Sequence, residues 1–140
     1  MSRVMGIDFG TRRIGIALSD PLRMLAQGFE TISWNGEDDA FALHRIAEIV
    51  KEKTVDTIVM GRPKRTDGTE SESERKANAF GRKIEEAVGI KPEFRDERYT
   101  TVIASQYLRQ TGFDGRKKKN VIDQVAAEII LREYLDMHRN

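Results

Sequence analysis

The sequence predicts an α/β fold: a mixed five-stranded sheet, built from an antiparallel three-stranded meander and two parallel strands, with helices on both faces. Three observations carry that expectation. Two apolar runs, residues 3–9 and 13–19, are separated only by the "GTR" of Gly10–Arg12, a hairpin spacing. Beyond the meander, short apolar runs alternate with segments of helical periodicity, the order that makes parallel strands through right-handed crossovers. The length of 140 residues is one domain's worth of chain, so residues 1–140 are expected to form a single domain around one core.

Each element has its own local reason. Val4, Gly6 and Asp8 share one face of the first strand, and Met5, Ile7 and Phe9 share the other. Asp20-Pro21 is a turn signal, and "MLAQGFETI" follows as a third strand with small and polar interruptions. Phe41, Leu43, Ile46, Ala47, Ile49 and Val50 fall at helical spacing between about residues 38 and 53. "VDTIVM" is a β-branched run that ends near Gly61 and Pro63, and "GRPKRTDGT" is loop chemistry. "ESERKANAFGRKIEEAV" is a helix, and "KPEFRDE" a short strand starting at a proline, as an edge strand permits. "TTVIASQYLRQ" and "NVIDQVAAEIILREYL" close the chain as helices, with the basic "GRKKKN" as the loop before the last one.

Composition narrows the function classes. No apolar run approaches the roughly 20 residues that cross a bilayer, so no membrane association is expected. The absence of cysteine removes disulfides and zinc-thiolate sites, and no basic-then-apolar leader precedes the first strand. A cytoplasmic location is the expectation. The net charge of +1 hides an uneven layout: cations concentrate in "TRR", "GRPKR", "ERK" and "GRKKKN", acids in "NGEDDA" and "TESESE". Short basic stretches suit phosphate backbones, although many such runs serve only as solvated surface.

Three carboxylate sources stand out. Asp8 lies within a strand, residues 3–9, that otherwise reads as buried, where an acid needs a cation, hydrogen-bond donors or a metal. "RDERYTT" places Asp96 and Glu97 at the end of the fifth strand. Asp123 is placed in the first turn of the last helix, toward its packing side, since Ala126, Ala127 and Ile130 follow at i+3, i+4 and i+7. Plainer roles compete: a turn acceptor for Asp8, a capping-box variant with Asn120 for Asp123, and a surface ion pair for Asp96 or Glu97. Converging carboxylates otherwise suit a hard cation such as Mg²⁺ or Mn²⁺, and a pair of such ions about 3.5–4 Å apart promotes phosphodiester hydrolysis.

"GIDFGTRRIGIALSD", "GRPKRTDGT", "RDERYTT" and "KKNVIDQVAAEIIL" resemble, in order and spacing, the YqgF family of pre-16S ribosomal RNA nucleases and Holliday junction resolvases, within the ribonuclease H-like superfamily. The resemblance spans nearly the whole chain. It implies a ribonuclease H-like fold and metal-dependent nuclease chemistry in which Asp8, Glu97 and Asp123 are catalytic and hold two Mg²⁺ or Mn²⁺ ions, with Asp96 in reserve. In related resolvases an acid ends the fourth strand, whereas here that place reads "VMGRP". The resemblance also implies a part in 5′-end maturation of ribosomal RNA, with resolution of four-way DNA junctions as the alternative. Structured RNA or branched DNA is the expected partner, of a monomer or a homodimer.

Supporting residues follow from the same chemistry. Gly10 and Thr11 shape a hairpin tip that a phosphate can approach. Arg62 and Lys64 beyond the fourth strand, Arg98, and Arg116, Lys117, Lys118 and Lys119 before the last helix are the candidate backbone contacts. Trp34, Tyr99 and Phe113 are candidate base-stacking rings, while His44 and His138 lie away from the acids. Two other classes compete: an actin-like nucleotide-binding half-domain, suggested by "DFGT", and a non-catalytic RNA or ribosome-assembly module. The first lacks a second domain and a "GxxxxGK[ST]" loop.

Overall fold

The computed structural model describes residues 2–63, 69–97 and 115–138, and the side chains of Pro63, Asp96, Glu97 and residues 115–121 lie outside that description. The elements run β1 (Arg3–Asp8), β2 (Arg13–Ser19), β3 (Ala26–Ser33), α1 (Ala40–Glu52), β4 (Val55–Pro63), α2 (Glu72–Val88), β5 (Glu93–Glu97) and α3 (Gly115–Met137). The five strands form one sheet in the order β3-β2-β1-β4-β5. β1 pairs antiparallel with β2 and parallel with β4, so the change of direction falls at β1. β5 takes the edge position that its leading proline allows. The expected mixed sheet is therefore the observed one.

Strand alternation sorts the apolar residues onto two faces. Met5, Ile7, Ile14, Ile16, Ile58 and Met60 pack with α1 and α2 on one side. Val4, Ala17 and Val59 pack with Ala127, Ile130, Leu131, Tyr134 and Leu135 of α3 on the other. Asp8 therefore belongs by parity to the α3 face. That face is built for close approach: a Cβ on Gly6 would meet Ala127 O and Leu131 Cβ, each at 2.8 Å.

Three sequence expectations need correcting. β4 takes in Gly61, Arg62 and Pro63, which the sequence reads as the start of a loop, because ladders on both sides carry it on: Gly61 pairs with Asp8, and Arg62 and Pro63 pair with Asp96 and Glu97. Arg62 is thus a strand residue, not a loop residue. α3 begins at Gly115, so Arg116–Lys119 are helical and Asp123 sits in the third turn rather than the first. Arginine and lysine are good helix formers and no proline interrupts them, which lets the helix extend backwards and leaves Asn120 no capping role. In α1 the buried stripe is Ala42, Ile46 and Ile49, while Phe41 is 63% exposed. At 100° per residue, Phe41 stands about 140° round the helix from Ile46.

α2 spans the predicted residues. Ser71 caps it, its hydroxyl accepting the Glu74 N–H at 3.0 Å, and Gly89 ends it at φ +76. The predicted helix over residues 100–110 lies outside the described residues.

Candidate active site

The site forms where β1 ends. Asp8 is the last residue of β1, and its register partners are glycines on both sides, Gly15 of β2 and Gly61 of β4. Neither neighbour carries a side chain, so the sheet leaves room around the Asp8 carboxylate and whatever it binds.

α3 brings the second acid. A Cβ on Gly15 would lie 2.0 Å from the main-chain oxygen of Asp123 and 3.1 Å from its Cβ. The Asp123 turn of α3 therefore rests directly on the residue paired with Asp8. Two further bonds hold that helix in place: Gln124 Nε2 donates to Thr31 Oγ1 at 3.2 Å, and Gly28 N–H donates to Glu128 Oε2 at 3.2 Å.

The Asp123 side chain is 15% exposed and its Oδ2 accepts a 2.7 Å hydrogen bond from Arg13 Nε. Burial pushes its carboxyl above the usual carboxylate range, and the bond and charge of Arg13 oppose that shift without cancelling it. Arg13 is a residue that the sequence reading passed over. Its signal was its place two residues before Gly15 on the same strand face.

β5 delivers its acids from further away. Gly61 pairs with both Asp8 and Arg95, and Glu97 lies two residues beyond that row, opposite Pro63. β4 intervenes, so about 10 Å of sheet separates β1 from β5. Among the described residues no group of three or more His, Asp or Glu side chains converges. Asp8 and Asp123 both neighbour Gly15, the first as its register partner and the second through the α3 main chain, and the side chains of Asp96 and Glu97 are outside the description.

The hairpin tip is clamped from behind. Trp34 Nε1 donates to Gly10 O at 2.8 Å, Trp34 N–H donates to Arg12 O at 3.0 Å, and Gly36 packs under Thr11 O. Trp34 also joins Phe9 and Phe80 in an aromatic cluster with centroids 4.9–6.2 Å apart. That packing, not an open ring face, is its observed environment.

Arg62 lies on the α2 side, opposite Asp8. Its Nη1 donates to Asn78 Oδ1 at 3.4 Å, its Nε lies 3.6 Å from a Glu74 carboxylate oxygen, and its guanidinium stands 5.1 Å from the Phe94 ring centroid. Lys64, Arg98, Tyr99 and Phe113 lie outside the described residues, as do the side chains of Arg116, Lys117, Lys118 and Lys119. A hollow of about 360 Å³ lined by Arg3, Ser19, Asp20, Phe29 and Lys53 sits at the other end of β2 and contains none of the three acids.

A three-stranded meander continued by parallel crossover strands, with helices on both faces, is the ribonuclease H-like fold. The chain matches the model of the RuvX family, described as Holliday junction resolvase, over residues 2–137, and it belongs to that family. It is 42% identical over 135 residues to a protein of Streptococcus sanguinis named "Putative pre-16S rRNA nuclease", covering 96% of this chain and 97% of that one. A Streptococcus thermophilus protein of the same name is 44% identical with the same coverage.

Solved structures agree on the fold. Thermus thermophilus RuvC in complex with a Holliday junction substrate superposes with a TM-score of 0.60 at 14% identity, over 99% of this chain and 97% of that one. The fowlpox virus resolvase with junction DNA gives 0.56 at 11% identity, over 99% of each chain. The protein is a nuclease that hydrolyses phosphodiester bonds and binds nucleic acid, and its family implies dependence on a divalent cation.

The donor set fits such a cation. Both acids offer oxygen ligands, which hard ions require, and the glycines flanking Asp8 leave space for one. No helix among the described residues is long and apolar enough to cross a membrane.

Proposed function

We propose that this nuclease processes the 5′ end of pre-16S ribosomal RNA in the cytoplasm, acting through residues 1–140 as one domain, with Asp8, Glu97 and Asp123 as the residues that hold Mg²⁺ or Mn²⁺. The observation that carries the reading is the seating of Asp123 on Gly15, beside Asp8. The names of the relatives favour the RNA substrate. A divalent cation bound there supplies Lewis-acid stabilisation of the phosphoryl oxygens and makes water a better nucleophile.

The chain's own residues do the rest. Asp8 and Asp123 present carboxylate oxygens from two rigid elements, and rigid elements preserve the geometry that hydrolysis needs. Glu97 is preferred to Asp96 because strand alternation gives it the parity of Arg95, whose Nη2 lies 3.4 Å from Glu133 of α3. Asp96 has the parity of Phe94, which packs on the opposite core. Gly10 and Thr11 offer a clamped tip to the backbone, and α3 brings Lys119 within four residues of Asp123. Arg62 is assigned to holding α2 against β4 and β5.

The deciding experiment offers a 5′-extended pre-16S fragment and a four-way DNA junction, with Mg²⁺ or Mn²⁺, to the wild type and to Asp8→Asn. RNA cleavage that disappears in the variant supports the proposal. Junction cleavage by a dimer, with the RNA untouched, would assign the protein to the activity for which the family is described.

A further inference from the structure

The side chain in contact with Asp123 is itself a cation. Arg13 Nε takes Asp123 Oδ2 at 2.7 Å, and among the described residues Asp123 Oδ1 accepts no hydrogen bond. One carboxylate oxygen is therefore committed to a guanidinium. The Arg13 side chain is 35% exposed against 15% for Asp123, so the guanidinium forms the rim and the carboxylate the floor. Arg13 also follows directly from the hairpin tip of Gly10–Arg12 that Trp34 clamps. Its root is thus fixed at the mouth of the site.

We propose that Arg13 couples cation binding to nucleic-acid binding: it neutralises Asp123 until a phosphodiester arrives, then shares its donors between Asp123 and that phosphate. This rests on the metal-nuclease reading above. An arginine has five N–H donors in a planar fork, so Nε can keep the carboxylate while the Nη groups face a phosphate. A guanidinium and a divalent ion on one carboxylate repel each other. At an effective permittivity of about 20 that repulsion is enough to change affinity at least tenfold. An incoming phosphate brings the compensating negative charge, so ion and nucleic acid bind better together than apart, and the coupling is reciprocal. The consequence is a site that holds its ion weakly until substrate is present.

Mn²⁺ titration followed by electron paramagnetic resonance tests this, with and without a slowly cleaved phosphorothioate RNA fragment, on wild type, Arg13→Gln, Arg13→Lys and Asp123→Asn. The wild type is expected to bind Mn²⁺ about tenfold tighter when the RNA is added. Arg13→Gln should bind Mn²⁺ about tenfold tighter than wild type without RNA, and gain little from it. Arg13→Lys retains the charge and should stay near the wild-type affinity for the ion alone. Were Arg13→Gln to bind Mn²⁺ more weakly than wild type, Arg13 would be a structural pin and the coupling idea would be overturned. Absence of coupling in the wild type overturns it equally, with no substitution involved. Asp123→Asn should bind Mn²⁺ poorly in both conditions; unchanged affinity there would instead remove the metal assignment on which the inference rests.

Discussion

Gly15 lies directly beneath Asp123, so closely that a Cβ on Gly15 would stand 2.0 Å from the Asp123 main-chain oxygen. The atom in the way is helix backbone, which no rotamer change can move aside. Gly15→Ala must push α3 off the sheet at Asp123, beside the strand position paired with Asp8. Overpacking of this kind typically destabilises by about 1–3 kcal/mol. A lowered urea midpoint together with lost cleavage is expected, whereas wild-type activity at full stability would show that cleavage does not need α3 seated on Gly15.

If Asp8 holds the cation as proposed, Asp8→Asn removes the charge of one ligand oxygen without changing shape. Second-shell partners of metal sites typically contribute about 10–100-fold to activity, and loss of a ligand should exceed that range. Cleavage measured at saturating Mg²⁺ should therefore fall at least about a hundredfold. Nucleic-acid binding by fluorescence anisotropy should persist. A variant that cleaves at a tenth of the wild-type rate or better would exclude Asp8 as a ligand.

Asp123→Asn should stabilise the fold at neutral pH. Burial raises the folded-state carboxyl pKa above its ordinary 3.8, so the native state binds that proton more tightly than the unfolded chain does. Native stability is then favoured below the unfolded value and declines as pH rises through the folded one. Asparagine carries no such penalty. Thermal melts without metal should coincide near pH 3.5 and separate toward pH 7 with the variant higher; a variant that melts below wild type at pH 7 would contradict this.

Asp56 behaves in the opposite sense. The Ser2 hydroxyl, donating at 2.6 Å, holds its carboxyl below the usual range, with help from the Thr57 hydroxyl and Arg23. A depressed folded pKa contributes stability above about pH 3.9, which is lost as pH falls through the folded value. Asp56→Asn should melt lower than wild type at pH 7, with the gap closing in acid. A gap that is constant with pH would assign the loss to packing alone.

Lys118→Ala reports on the basic start of α3. If that lysine contacts a phosphate, binding weakens for every sequence alike, and the slope of log affinity against log salt falls by about one. An unchanged slope would mark Lys118 as surface charge.

The strands were readable from short apolar runs because alternation is a local property, and α2 was readable to the residue because a cap, an apolar stripe and a glycine end all lie within it. The start of α3 was not. The basic run reads as loop by charge, yet it has the propensity to continue a helix whose far end packs on the sheet. Arg62 was misplaced for a related reason: the pairing that keeps Gly61–Pro63 extended comes from β1 and β5, which lie far from them in the chain.

The site divides along the same line. By itself the sequence determined which residue types were available, that Asp8 lies in the first strand, and that it shares a face with Val4 and Gly6, since periods of two and 3.6 residues need no tertiary information. Only the tertiary structure decided that Asp123 rests on Gly15 and that Arg13 occupies one of its oxygens, a contact spanning 110 residues of chain. That contact depends on how closely a helix can approach a sheet, and glycines at positions 6 and 15 permit the approach while the covered apolar face drives it.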